Sequence, residues 1–197
     1  MKMMFALLGF LALAAIAAVT IYVERQADYQ HEVLSQGGKA RALVLFHPSR
    51  DAHFSDDLST ALAEGLTGAG FSVDRESLTR ATPPQPEDYA LIAVVSNTYW
   101  WTPDRPTLQY LQRARFDGRY AIGVIGGAGA TGRSQRMLDL ALRATGAKVL
   151  QTRSFWLMRP NDETRMKGSN RAVALQLARQ FGETSGRTVL AAGSLRN

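Results

Sequence analysis

The order of apolar runs and amphipathic stretches predicts an α/β protein: a doubly wound, five-stranded parallel sheet preceded by one transmembrane helix. Three observations carry this expectation. The runs "RALVLF", "YALIAVVS" and "YAIGVIG" are apolar without polar alternation, as in strands covered on both faces. Stretches of helical period lie between them. Met3 to Val23 contains no charged residue, and a helix of that length spans about 30 Å, one bilayer core.

The first element is therefore read as a single-pass membrane anchor over residues 1–24, with residues 3–23 in contact with lipid. A cleaved signal peptide is the competing reading, because Lys2 precedes the run and Ala15 and Ala17 suit a peptidase. Against it, the run continues to Val23 and stops abruptly at Glu24-Arg25, as at a membrane surface. Lys2 on one side and Arg25, Lys39 and Arg41 on the other leave the sidedness open.

Residues 25–39 are polar, end in Gly37-Gly38 and read as a linker or short stalk. The α/β domain is expected over 40–184. Its first strand is Arg41 to Phe46, followed by a helix over Asp56 to Ala69 with Leu58, Ala61, Leu62, Gly65, Leu66 and Ala69 on one stripe, stopped by Gly68 and Gly70. "FSVDRESL" is a weaker strand, and the three prolines of Thr79 to Asp88 make that stretch a crossover loop. Tyr89 to Ser96, Tyr120 to Gly126 and "KVLQTRSFW" complete the sheet. Pro106 opens one intervening helix, Arg133 to Thr145 forms another, and Ser169 to Phe181 closes the domain. The tail, residues 185–197, is read either as disordered or as a dimer contact, which would make a second copy of the chain a partner.

With 197 residues, 46% hydrophobic and 20% charged, the chain has room for one core and an appendage. It has no cysteine, which excludes disulfides, thiolate zinc sites and cysteine nucleophiles. His31, His47 and His53 lack a metal-ligand spacing, so no metal is expected. The net charge of +6 comes from scattered basic residues with no basic run carrying aromatics. This excludes a nucleic-acid partner and suits a basic surface facing anionic lipid.

Ligands of doubly wound sheets bind outside the carboxyl ends of the strands, so three loops there are the candidates for a common site. In "FHPSRDAHFSDDL", Ser49, Ser55 and Arg50 could hold a phosphate at a helix N-terminus, while Asp51, Asp56 and Asp57 oppose an anion. Alternatively Ser55 simply caps the helix. In "SNTYWWTPDRP", the consecutive Tyr99, Trp100 and Trp101 cannot all enter the core, so at least one should be exposed and able to stack on a planar ring.

"VIGGAGATGRSQ" fits a dinucleotide fingerprint through Gly127, Gly129 and Gly132, and a P-loop with Arg133 in place of Lys. Both motifs belong after the first strand of their unit, and only about 65 residues follow Gly132 here. A third reading is that these glycines let backbone amides approach a flat heterocycle.

From Arg41 to about Trp156 the chain resembles the flavodoxin-like superfamily. "SNTYWW" resembles the aromatic loop flanking the flavin ring, and "GGAG" the glycine loop on its other flank. "LVLFHPSRDAHFSDDL" is similar to the opening of the FMN- or FAD-dependent NAD(P)H:quinone oxidoreductases. The resemblance implies the strand order 2-1-3-4-5, noncovalent FMN, NAD(P)H as electron donor and a quinone or redox partner as acceptor.

It also implies His47, Phe54 and Ser55 at the phosphates, Tyr99 and Trp100 along the ring, and Gly126, Gly127 and Gly129 at its edge; Ser49 and Arg50, read from their own chemistry, join the phosphate set, and Thr98, beside Tyr99, the ring set. The departures are specific. His53 stands where the family prefers Ser, Glu76-Ser77 partly replaces its acidic signature, and the flavodoxin pattern Ser/Thr-x-Thr-Gly-x-Thr is missing. The Tyr and His that assist hydride transfer have no match in "GGAGATGRSQ", so no catalytic residue is assigned. Two other readings stand beside this one: an NAD(P)-binding protein with Arg153 meeting a 2′-phosphate, and a cofactor-free scaffold domain.

Overall fold

The computed structural model describes residues 2–25, 28–48, 53–162, 164 and 168–194. Helix α1 (Lys2–Val23) is followed by β1 (His31–Ser35), β2 (Ala40–Phe46), α2 (Phe54–Ala69), β3 (Phe71–Ser77) and β4 (Leu91–Tyr99). Then come β5 (Thr102–Pro103), α3 (Arg105–Arg113), β6 (Tyr120–Gly127), α4 (Gly132–Ala144), β7 (Lys148–Trp156) and α5 (Asn170–Ser194). The sheet runs β1-β3-β2-β4-β6-β7, with β5 attached to β4. Its five parallel strands, β3-β2-β4-β6-β7, have the expected order 2-1-3-4-5.

Strand alternation divides the core. Ala42, Val44 and Phe46 face α2 and α5, packing with Leu58, Leu62, Ala178 and Phe181, while Leu43 and Leu45 face α3 and α4 with Tyr110, Leu138 and Leu142. Residues 78–90 cross between β3 and β4 without a helix, as their prolines require. Arg113 holds this crossover by donating to the carbonyls of Thr79 and Thr82 at 2.9 and 2.8 Å.

Among the described residues the sheet has seven strands rather than five, and both additions have local causes. The stretch expected to be a stalk contains β1, antiparallel to β3 with His31 opposite Glu76. Its polar residues obscured it because they pair across the edge: His31 Nδ1 lies 2.7 Å from Glu76 Oε1, and Arg75 donates to Glu32 at 2.7 Å. Glu76, likened to an acidic family signature, therefore serves the sheet edge. The second addition, β5, forms a hairpin with β4 in which Tyr99 pairs with Thr102 across a two-residue turn, Trp100-Trp101.

Helix α5 ends thirteen residues beyond the expected Phe181, so residues 185–194 are helix rather than a disordered tail. The extension packs on α2 because glycines remove the side chains between them. A Cβ at Gly182 would lie 2.4 Å from the Leu62 carbonyl oxygen, and one at Gly186 would lie 2.7 Å from Ala69 Cβ. Helix α2 ends at Gly70, whose φ of 103° is the left-handed cap, whereas Gly68 lies inside the helix.

Candidate binding site at the carboxyl edge of the sheet

Strands β2, β4 and β6 end side by side, which brings the three loops to one edge. Ser49, Arg50 and Asp51 lie outside the described residues. His47 is fully buried: its Nε2 lies 3.1 Å from the Arg25 carbonyl and its Nδ1 3.6 Å from Asp104 Oδ1. Because a carbonyl only accepts, Nε2 is the donor of that bond. The His47 carbonyl accepts from Ser55 Oγ at 2.8 Å and Asn97 Nδ2 at 3.0 Å.

Ser55 thus neither caps α2 nor presents its hydroxyl proton to the loop. Residue His53 occupies the N-cap with φ of 51° and makes no side-chain cap bond. What α2 offers is its dipole and first-turn amides. Asp57 in that turn pairs with Arg171 of α5, which offsets one of the charges opposing an anion.

Asp104, which sequence reasoning missed, organises the second loop. It is fully buried, caps α3 by accepting from Thr107 N at 2.9 Å, and also accepts from Asn97 N at 2.7 Å and Ser96 Oγ at 2.9 Å. "TPDRP" does have the pattern of a cap before a first-turn proline, so a cap search would have found it. Tyr99 is half-buried, whereas Trp100 and Trp101 are both exposed, where crowding called for at least one of the three. Their φ values of 52° and 60° form a tight hairpin turn that ordinarily takes Asn-Gly. Bulky residues in this region cost about 1–3 kcal/mol each, so the display of both indoles is maintained against strain.

Two contiguous clefts sharing Thr98 and Ala128 open between the second and third loops. One, about 320 Å³, lies between Trp100, Trp101 and residues 128–131; the other, about 210 Å³, is lined by Phe54, Tyr99, Gly126, Gly127 and Met158 among others. Thr98 Oγ1 is buried and has no hydrogen-bond partner among the described residues. Apolar walls with one unsatisfied hydroxyl suit a flat, largely aromatic group with polar edges. The larger cavity, about 740 Å³, lies at the opposite, amino edge beside Lys39, Arg119 and Leu190.

Two glycines of the third loop are also required by packing within the protein. Space beside Gly126 and Gly127 is filled by the protein itself: a Cβ at Gly126 would meet Leu58 Cδ1 at 3.0 Å, and one at Gly127 would meet Thr131 Cγ2 at 2.8 Å. Thr131 Oγ1 in turn accepts from Trp156 Nε1 at 2.7 Å. At Gly129 a Cβ would have only ordinary contact, 3.6 Å from Arg159 Cδ. Gly127→Ala is expected to lower stability by about 1–2 kcal/mol and Gly129→Ala to change it by less than about 0.5 kcal/mol, read by thermal melting. Equal tolerance would show that packing is not why glycine stands at 127. The loop follows the fourth parallel strand, away from the first βα turn where dinucleotide and P-loop motifs belong.

The end of α1 meets this edge. Trp100 Nε1 donates to Thr20 Oγ1 at 3.1 Å, and Arg105 N donates to Glu24 Oε2 at 2.5 Å. Burial raises the Glu24 pKa above its ordinary 4.5, outweighing the Arg105 amide bond that lowers it. The folded state therefore binds the proton more tightly than the unfolded chain does. Glu24's contribution is fully present below pH 4.5 and is lost as pH rises through the raised value. Melting temperature against pH should show this decline in the wild type and lose it in Glu24→Gln; an unchanged slope would exclude Glu24 as its source.

The fold is flavodoxin-like. No protein-family model matches the chain, and no curated protein sequence does. Solved structures do match. A flavodoxin from the domain Archaea has a TM-score of 0.53 at 13% identity, with 76% of this chain and 98% of that one covered. The NAD(P)H:quinone oxidoreductase from Methanothermobacter marburgensis has a TM-score of 0.52 at 22% identity, covering 73% and 98%. Rubredoxin oxygen:oxidoreductase from Desulfovibrio gigas has a TM-score of 0.60 at 13% identity, covering 79% of this chain and 37% of that chain.

Proposed function

We propose that this chain is a membrane-anchored flavoprotein that binds FMN noncovalently at the carboxyl edge and transfers electrons, with NAD(P)H as donor and a quinone as acceptor. The observation that carries this is the pair of contiguous aromatic-rimmed clefts at the carboxyl edge of a flavodoxin-like sheet. The names of two neighbours, a flavodoxin and an NAD(P)H:quinone oxidoreductase, support the same chemistry. A bound flavin would supply the redox chemistry, taking up and releasing one or two electrons.

The chain's residues supply position. Tyr99 and Trp100 wall one side of the ring site, residues 127–131 the other, and Thr98 offers its unsatisfied hydroxyl between them. The first turn of α2, with Ser49 and Arg50 before it, is assigned to the phosphate. Helix α1 is the anchor: Met3–Tyr22 is long and apolar enough to cross a membrane, and none of its apolar window is buried in the protein, as a core helix would be.

Titrating full-length protein in detergent with FMN tests the cofactor. Quenched flavin fluorescence saturating at one equivalent is expected; free-flavin fluorescence throughout would overturn the assignment. A cofactor-free scaffold is the second reading, favoured by the Ser55 hydroxyl already bonded to His47 and by protein side chains packed against Gly126 and Gly127. Alkaline carbonate extraction and intact mass test the anchor: full-length chain in the pellet is expected, and release or an N-terminally shortened mass would remove it.

A further inference from the structure

We infer that the carboxyl edge of the sheet is a second membrane contact, inserting Trp100 and Trp101 into the interface of the bilayer that α1 crosses, so that the candidate site opens at the lipid surface. This rests on the anchor reading. The starting observation is the hydrogen bond from Trp100 Nε1 to Thr20 Oγ1. Thr20 lies two residues inside the end of the apolar span at Tyr22, about 3 Å along the helix axis. The bond therefore ties the indole to the depth at which the helix leaves the hydrocarbon, where tryptophan is favoured.

Exposure agrees. Trp100 and Trp101 are 51% and 57% exposed, and Met158, on the rim of the adjoining cleft, is 82% exposed. Three large apolar side chains on one edge would be poorly placed in water, whereas at an interface each has an apolar phase beside it. The two tryptophans also occupy a turn that prefers Asn-Gly, so neither is there for the sake of the hairpin.

Charge agrees as well. Arg25, Arg105, Arg133 and Arg159 are exposed at the same edge: Arg25 follows α1, Arg105 opens α3, Arg133 opens α4, and Arg159 lies over Trp156 beside Gly129. Of the acidic groups at this edge, Asp104 is buried within its cap bonds, Glu24 is half-buried against the Arg105 amide, Asp57 is paired with Arg171, and Asp56 is half-buried in the first turn of α2. Exposed guanidinium groups around indoles match a layer of anionic headgroups above apolar chains. A reaction partner reaching the clefts from the bilayer would be lipophilic.

The test places full-length protein in phosphatidylcholine–phosphatidylglycerol vesicles whose chains carry bromine either near the headgroup or near the chain end. The chain has three tryptophans: Trp100, Trp101 and Trp156. Bromine near the headgroup should quench emission more than bromine near the chain end. Trp100→Asn with Trp101→Gly, which suits the turn, should melt no lower than wild type, remain with the vesicles and fall to the quenching of Trp156 alone. Vesicle-bound protein with no lipid quenching would overturn this inference while leaving the anchor intact. Protein that does not float with the vesicles would overturn the anchor and this inference together.

Discussion

Asp104→Ala is expected to lower stability by about 3–4 kcal/mol, a fall in melting temperature of about 10 °C for a chain of this size. The carboxylate is fully buried and accepts from three donors: Thr107 N, Asn97 N and Ser96 Oγ. Alanine removes the cap of α3, worth about 1 kcal/mol, and strands buried donors that each cost about 1–3 kcal/mol. Because the same bonds tie the end of β4 to the start of α3, the hairpin bearing Trp100 and Trp101 should loosen too. Asp104→Asn keeps one carbonyl oxygen and should lose less. Thermal melting in detergent with tryptophan emission checks both effects. A loss below about 1 kcal/mol would show that water replaces the carboxylate and that the site is less enclosed than its burial indicates.

Gly65→Ala is expected to cost about 3 kcal/mol, whereas Gly68→Ala, one turn later on the same helix, should stabilise by about 1 kcal/mol. A Cβ at Gly65 would lie 2.0 Å from the Arg179 carbonyl oxygen and 2.9 Å from Glu183 N. These are backbone atoms, which no rotamer change can move, so α2 and α5 must separate and loosen the layer holding Ala178 and Phe181. At Gly68 nothing lies within 4 Å, and alanine there gains helix propensity without a clash. Melting the two variants side by side decides the matter. Similar melting temperatures would mean that the helix pair can shift without loss of packing.

The positions of the apolar strands were legible because residues covered on both faces leave uninterrupted apolar runs, whereas their order, 2-1-3-4-5, came from the family resemblance. "RALVLF", "YALIAVVS" and "YAIGVIG" became β2, β4 and β6 within a few residues, and "KVLQTRSFW" became β7 from Lys148 to Trp156. That at least one of Tyr99, Trp100 and Trp101 is exposed followed from simple crowding; that it is both tryptophans did not. β1 was illegible because an edge strand paired through His31, Glu32, Arg75 and Glu76 has the composition of a linker. The last turns of α5 were hidden for a related reason: "ETSGRTVLAAGS" is a poor isolated helix, and only contact with α2 makes its glycines favourable.

The candidate site divides in the same way. By itself the sequence determined which loops meet at the carboxyl edge, that aromatics stand there, and that an uncharged helix long enough to cross a bilayer precedes the domain, because these follow from period, hydropathy and chain order. The tertiary structure alone decided that Ser55 bonds to His47, that Gly126 and Gly127 accommodate protein side chains, that Asp104 anchors the aromatic hairpin, and that Thr20 meets Trp100. Those are contacts between residues distant in the chain, and local sequence has no physical record of which distant group will occupy a given space.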